Sequence, residues 1–305
     1  MIQLVLLTGF LGAGKTTLMT SILEAYQDKK IGVIINEFGK INIDARLIEK
    51  DGIEMAELSN GSIFCACIKD KFLYSLIEFS HMDIEYLFIE ASGLADPVNM
   101  PQILKAIQQK TGTPYHYRGA LCIVDGESFL DLVDMLPALE RQVEYSDVMV
   151  LNKADLISES KIVEISEMIQ KMNPKAQIFV TSYCRVDIAE IVEDMEPDEK
   201  EGRETTNTFE SRPNTLVLTA ENMIPVEDLN EFLEDISGYT YRIKGFSETD
   251  HGPMEISVVG KNIHLNPWHT DVKGSQIVVI SAVGIRIMSV VTSALEKKLK
   301  GKLHL

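Results

Sequence analysis

Nine residues near the start of the chain constrain its fold more than any others: Gly9-Phe10-Leu11-Gly12-Ala13-Gly14-Lys15-Thr16-Thr17. They satisfy the phosphate-loop pattern G-x-x-x-x-G-K-[ST] at each fixed position. The run before them, Ile2-Gln3-Leu4-Val5-Leu6-Leu7-Thr8, is largely apolar, as a buried parallel strand should be. The run after them, Lys15 to Tyr26, carries Leu18, Ile22 and Leu23 at helical spacing with Met19 beside them. Glycines let the backbone wrap closely around phosphate oxygens, and the loop amides and the helix N-terminus face the anion. Gly9, Gly12, Ala13, Gly14, Lys15, Thr16 and Thr17 are therefore the expected phosphate-binding residues. Lys15 places a charge at the β- and γ-phosphates, and the Thr16 hydroxyl is expected to hold Mg²⁺. The plainer alternative, a glycine turn ahead of a helix, does not call for Gly-Lys-Thr-Thr in register.

The rest of the chain alternates short apolar strands with helices. Strands are expected at Ile31–Asn36, Gly52–Leu58, Ile84–Glu90, Gly119–Val124, Val148–Leu151 and Ala176–Thr181. Helices are expected at Asp70–Ser80, Val98–Lys110, on both sides of Pro137, and at Lys161–Lys171. This alternation predicts an α/β fold, a doubly wound and mostly parallel sheet of the P-loop NTPase kind. From Glu193 to Glu204 the composition turns to a charge run containing Pro197 and Gly202, read as a solvated linker, with a ragged helix end as the other possibility. The division expected is a P-loop GTPase domain over 1–195, a charged linker over 196–212 and a small α+β domain over 213–305. In the tail, a strand is expected at Asn214–Leu218, and strands or strand pairs at Tyr239–Phe246, Met254–Leu265 and Gln276–Ala282. The tail helices are expected at Val226–Ile236 and Ile285–Leu299.

Charge and composition remove several classes. The 305 residues carry a formal net charge of −17, so there is no basic excess to displace counterions from a nucleic acid, and no nucleic-acid partner is expected. No apolar run reaches the ~18 residues of a membrane span. The N-terminus enters a strand at once, without a positive leader region or cleavage site, so no secretory signal is expected. Four cysteines, unevenly placed, do not make a disulfide scaffold, and a reducing cytoplasm is the expected location.

Two further motifs follow predicted strands. Asn152-Lys153-Ala154-Asp155 matches Asn-Lys-x-Asp. The Asp155 carboxylate can accept two hydrogen bonds from guanine N1–H and its exocyclic amine. Adenine offers neither donor, and an unmatched buried acceptor is costly. Lys153 is expected to lay its stem along the base, and Asn152 to tie this loop to the phosphate loop. Glu90-Ala91-Ser92-Gly93 also ends a strand: Glu90 suits Mg²⁺, through water, and the Gly93 amide can sense the γ-phosphate. Lys15, Thr16, Glu90 and Gly93 are thus the candidate catalytic set, with GTP/GDP and Mg²⁺ as ligands. Cys65-Ala66-Cys67 is a thiol pair suited to Zn²⁺ or a comparable ion if other ligands join it. Glu37 and a histidine such as His81 or His116 are candidates, and ordinary turn cysteines are the alternative. Cys122 falls in a buried strand and reads as core. His264 and His269, flanking Pro267-Trp268, read as surface or packing residues.

Together, Gly9 to Thr17, Asn36-Glu37-Phe38-Gly39, Glu90-Ala91-Ser92-Gly93-Leu94-Ala95-Asp96-Pro97 and Asn152 to Asp155 resemble the CobW-type metallochaperone GTPases, relatives of the HypB and UreG nickel chaperones. The resemblance covers the N-terminal two-thirds. The tail resembles the family's C-terminal domain more weakly, through Arg242-Ile243-Lys244-Gly245-Phe246. It implies a GTPase that binds a transition metal (Zn, or Co or Ni) and couples nucleotide state to metal delivery or cofactor assembly for a client protein. By position, Asn36 to Gly39 and Asp44 would belong to the first switch region, with Glu37 beside a metal. Nucleotide-dependent homodimers would suit the class. The chain departs from the family at Gly61-Ser62-Ile63-Phe64-Cys65-Ala66-Cys67, where Gly-Cys-x-Cys-Cys is usual. Ser62 and Phe64 stand at cysteine positions if Cys65 is matched to the last one, and the His-rich stretch of some members is absent. An alternative function is a regulatory GTP switch without metal cargo, acting on a cofactor-dependent, for example corrinoid, partner enzyme. A small-molecule kinase on the same loop is a third reading, and Asn152 to Asp155 argues against it.

Overall fold

The computed structural model describes residues 1–37, 54–59, 69–112, 115–133, 136–198, 214–268 and 274–304. The chain divides into two compact units, Met1–Ser211 and Arg212–Leu305.

The first unit is a parallel sheet between helices. Its strands are β1 (Ile2–Gly9), β2 (Ile31–Glu37), β3 (Glu54–Ser59), β4 (Tyr86–Glu90), β5 (Tyr115–Asp125), β6 (Val148–Asn152) and β7 (Gln177–Val180). They lie in the order β3-β2-β4-β1-β5-β6-β7, with every pairing parallel. The chain leaves β1 to build β2, β3 and β4 on one side, then β5, β6 and β7 on the other. The order reverses at β1, and in open parallel sheets ligands bind beyond the strand C-termini at such a point. The strands are apolar on both faces because both faces are covered. Val5, Leu7, Val33, Phe88, Ile123 and Val150 pack with helix α1 (Lys15–Ala25) in one core. Leu4, Leu6, Ile34 and Ile89 pack with α2 (Lys69–Ser80) and α3 (Met100–Thr111) in the other. Further helices are α4 (Phe129–Leu132), α5 (Pro137–Glu144), α6 (Glu159–Met172) and α7 (Ile188–Asp194).

Helix α7 lies within the expected GTPase domain, and its last two residues, Glu193 and Asp194, begin the charge run. Asp187 caps it by accepting from the Glu190 amide, and Ile188, Ile191 and Val192 are buried at helical spacing. Beyond it, the Asp198 amide donates to Asp147 Oδ1 at 2.8 Å, and Lys175 pairs with Asp198 at 2.6 Å. Strand β5 begins four residues before the expected Gly119, because Tyr115, His116 and Tyr117 pair with Ile2, Gln3 and Leu4 of β1.

The second unit is a five-stranded antiparallel sheet, β8 (Thr215–Ala220), β9 (Thr240–Thr249), β10 (Gly252–Val259), β11 (Asn262–Pro267) and β12 (Ser275–Ser281), in the order β11-β10-β9-β12-β8. Met254–Leu265, expected as a strand or strand pair, is the pair: it falls on the hairpin of β10 and β11. Helices α8 (Val226–Ser237) and α9 (Ile287–Lys298) pack with the sheet: Leu229, Phe232, Val291 and Leu295 share a core with Ile243, Ile256 and Val279. This is the α+β arrangement expected of the tail.

Candidate functional site

At the C-terminal ends of the first unit's strands, the chain folds into a cradle. β1 ends at Gly9, the loop carries Gly12 and Ala13, and α1 starts at Lys15 with no side chain capping it and no acidic residue in its first turn. A helix N-terminus left in that state offers its backbone N–H groups to an anion. Gly14 lies in the left-handed region with φ 117°, and a Cβ there would stand 2.5 Å from Asn152 Nδ2. Only glycine fits that turn. Lys15 is buried, and its Nζ donates to the Gly9 and Phe10 carbonyls at 2.9 and 3.1 Å, folded back over the loop it belongs to. Thr17 faces outward on the first turn.

The two residues expected to hold Mg²⁺, Thr16 and Glu90, come together at the ends of neighbouring elements. The Thr16 hydroxyl lies 3.5 Å from Glu90 Oε1, and Glu90 is buried at the end of β4. A hydroxyl and a carboxylate side by side form the hard oxygen donor set that Mg²⁺ takes, so the residues present fit that ion. The loop after β4 closes against the phosphate loop. A Cβ on Gly93 would stand 2.6 Å from the Leu11 backbone nitrogen. The Ser92 amide donates to Asn36 Oδ1 at 3.3 Å, while Asn36 Nδ2 donates to the Leu58 carbonyl at 3.0 Å. One side chain at the end of β2 thus joins the end of β3 to the loop after β4.

On the other side, β6 delivers Asn152. Its Nδ2 donates to the Ala13 carbonyl at 2.8 Å, and its Oδ1 accepts the Cys184 amide at 2.9 Å. Lys153 adopts φ 62°, and its Nζ pairs with Asp125 Oδ2 at 2.8 Å and with Glu127 at 3.5 Å. Asp155 is exposed, and its amide donates to Ser182 Oγ at 3.1 Å. The loop Ser182-Tyr183-Cys184 closes this edge of the site. Tyr183 and Cys184 have φ 56° and 53°, unusual for residues with side chains. Cys184 is buried with Sγ 3.5 Å from the Gly14 carbonyl, and burial pushes its thiol up to about 12. Cys122, in the core of β5, is pushed up to about 12 by the same cause.

The cradle therefore gathers Gly9, Gly12, Ala13, Gly14, Lys15, Thr16, Glu90, Gly93, Asn152, Lys153 and Asp155 from separate parts of the chain at one end of one sheet. It also includes two residues that sequence reasoning passed over, Asp125 as the partner of Lys153 and Gln142 behind the loop after β4, and it gives Asn36, expected as part of the switch segment, the role of a brace. The transition-metal candidates are placed differently. Phe38, Gly39, Asp44, Cys65 and Cys67 lie outside the described residues. Glu37 closes β2 at the site's end of the sheet, without a described side chain. His116 pairs with Gln3 at the start of β1, and His81 precedes β4. Both stand at the opposite edge, about 20 Å from the strand C-termini at ~3.3 Å per residue, so neither joins Glu37 as a ligand. Among the described residues there is no group of three or more His, Cys, Asp or Glu placed to hold a metal ion. In the tail, His264 lies on β11, and His269 is outside the described residues.

Comparison with known proteins identifies the parts. The family described as CobW/HypB/UreG, nucleotide-binding domain, matches residues 3–180, and the cobalamin synthesis protein cobW C-terminal domain matches residues 213–301. The zinc chaperone YjiA of Escherichia coli is 31% identical over 192 residues, which is 61% of this chain and 59% of that protein. Zinc-regulated GTPase metalloprotein activator 1 of Dictyostelium discoideum is 28% identical over 295 residues, 79% of this chain and 62% of that one. The chain thus spans about three fifths of the length of these curated relatives. The crystal structure of Zn(II)-bound YjiA GTPase from E. coli aligns over 98% of this chain and 99% of that one, at 21% identity and a TM-score of 0.48.

Proposed function

The chain belongs to the CobW/HypB/UreG nucleotide-binding family, and from that premise we propose that it is a GTP-binding and GTP-hydrolysing metallochaperone or metal-cofactor assembly factor. It couples its nucleotide state to binding a transition metal and delivering it to a client protein. Zinc is the cargo that fits the names of its relatives; Co²⁺ and Ni²⁺ are the alternatives.

The observation that carries the nucleotide reading is the hydrogen bond from Asn152 Nδ2 to the Ala13 carbonyl. It holds the Asn-Lys-x-Asp loop beside the phosphate loop, so one guanine nucleotide can occupy both. On this reading the loop amides of Gly9 to Gly14 and the first turn of α1, including Thr17, receive the phosphates. Lys15 exchanges its two carbonyl partners for phosphate oxygens. Thr16, and Glu90 through water, would hold Mg²⁺, which would supply charge neutralisation at the phosphates. The Gly93 amide faces the γ-phosphate, Lys153 lies along the base, and Asp155 reads guanine. Phosphoryl transfer needs mainly positioning and charge neutralisation, which such a cradle provides.

The metal is cargo, taken by Glu37, Cys65 and Cys67 on the segment between β2 and α2. GTP and metal bias this same segment, and a coupling of about 1–3 kcal/mol suffices for a switch. The working division is a GTPase domain over 1–195, a charged linker over 196–212 and a client-facing tail over 213–305, acting in the cytoplasm and pairing into homodimers with nucleotide. Among the described residues no helix is long and apolar enough to cross a membrane. A second reading, a regulatory GTP switch without metal cargo, is favoured by Ser62 and Phe64 standing where the family has cysteines.

Hydrolysis assayed with GTP and ATP side by side, for the wild type and Asp155→Ala, tests the nucleotide reading. The wild type is expected to turn over GTP and reject ATP, and the variant to lose that preference. A wild type that uses both equally would contradict it.

A further inference from the structure

Helix α5 buries Leu139 and Val143, and between them, fully buried, sits Gln142. A buried amide is unfavourable unless it is hydrogen-bonded, and an apolar residue would serve packing there as well or better. Gln142 Nε2 donates to the Gly93 carbonyl at 3.2 Å and to the Ala95 carbonyl at 2.9 Å. On its other side Gly93 abuts Leu11 of the phosphate loop so closely that no Cβ fits. The turn between these contacts is closed by the Ala95 amide donating to the Ser92 carbonyl at 2.9 Å. It is braced at its start by Asn36 and ends at Asp96, whose Oδ1 accepts the Val98 amide.

Two further polar atoms cluster on this loop. Gln142 Oε1 and Ser92 Oγ are buried and make no hydrogen bond among the described residues. A core that retains uncompensated polar atoms around one loop, when Leu and Ala would fill the same space, is shaped by something other than packing. The loop in question carries the amide assigned above to the γ-phosphate.

We propose that Gln142 is a positioning residue for GTP hydrolysis. Its amide holds the Ser92–Ala95 turn against the phosphate loop and so fixes where the Gly93 N–H points. It touches neither nucleotide nor Mg²⁺ and acts through the Gly93 and Ala95 carbonyls. The inference rests on the GTPase reading and deepens it. GDP lacks the γ-phosphate, so the role predicts a split between chemistry and binding.

The test uses the full-length protein with Gln142→Leu and Gln142→Met, two apolar replacements of different shape. Single-turnover GTP hydrolysis, GDP affinity by fluorescent-analogue competition and thermal melting are measured for each. In either folded variant the hydrolysis rate should fall about tenfold to a hundredfold, as for a misplaced positioning group, while GDP affinity stays within about twofold. Unchanged hydrolysis in a variant that binds GDP normally would overturn the proposal. So would GDP affinity falling in step with the rate in both variants, since that marks a packing role. A wild type that does not hydrolyse GTP would instead overturn the GTPase reading and the proposal with it, and the first arm shows this by itself.

Discussion

Asn152 and Ala13 lie 139 positions apart and are joined by a 2.8 Å hydrogen bond from the asparagine amide to the loop carbonyl. The same side chain accepts the Cys184 amide at 2.9 Å, so three loops share one residue. Asn152→Ala leaves a buried carbonyl and a buried amide unpaired. The expected result is GDP binding weakened by about 1–3 kcal/mol, most of it in faster release. Stopped-flow displacement of a fluorescent guanine nucleotide measures it, and an unchanged release rate would count against the bridge.

Lys153 and Asp125 should behave as a unit. Asp125 is buried, its Oδ1 accepts the Glu127 amide at 3.0 Å, and its Oδ2 holds Lys153 at 2.8 Å. The pair sets the direction of the lysine stem. Lys153→Ala and Asp125→Ala are each expected to weaken GDP binding, and the double variant to do little worse. That non-additivity would be about 0.5–3 kcal/mol in a double-mutant cycle. Additive losses would mean that Asp125 does not act through Lys153.

Gly14→Ala and Gly112→Ala form a matched comparison. Both glycines have positive φ, 117° and 70°. A Cβ at Gly112 meets nothing within 4 Å, whereas one at Gly14 strikes Asn152 and Cys184. Gly112→Ala should cost about 1–2 kcal/mol of stability from backbone strain and leave nucleotide binding intact. Gly14→Ala should cost binding as well, read by isothermal titration with GDP. Equal effects at the two sites would remove the steric argument.

The buried thiols predict a pH dependence. Cys122 and Cys184 hold their protons up to about 12 when folded, and in the unfolded chain they ionise near the ordinary value of 9.0. Above that ordinary value the unfolded state binds fewer protons than the folded one, so stability falls as pH rises toward 12. Below it the contribution is fully present. Alkylation mapped by mass spectrometry at pH 8 should leave both thiols unlabelled in the folded protein and label them after denaturation. Rapid labelling of either in the folded state would contradict their burial.

Much of this could be read before any coordinates, and the exceptions follow a pattern. The phosphate loop, Asn152 to Asp155 and Glu90 are local motifs at the ends of apolar runs, and local signals survive in one dimension. The insertion of β4 between β2 and β1 leaves no mark in Tyr86–Glu90, since any apolar strand fits a central position. The bracing role of Asn36, named in the sequence only as part of a switch motif, and any role for Gln142 leave no local mark for a related reason: each acts on backbone groups of residues 22 to 56 positions away. Helix α7 is a different case. Asp187 as cap and Ile188, Ile191 and Val192 at helical spacing are present in the sequence, but the helix has only 7 residues and runs straight into the charge run, so it carries little signal of its own. His81 and His116 were attractive as ligands by residue type alone, and the sheet separates them from Glu37.

The central claim is that GTP state and metal binding are coupled in one molecule. The most direct measurement is titration of the reduced full-length protein with Zn²⁺, loaded with GDP or with a non-hydrolysable GTP analogue, beside a Cys65→Ser, Cys67→Ser double variant. Zinc binding is expected to need these thiols and to differ in affinity between the two nucleotide states by about 5- to 150-fold. Zinc affinity that is the same in both states, or the same without the two thiols, would contradict the claim.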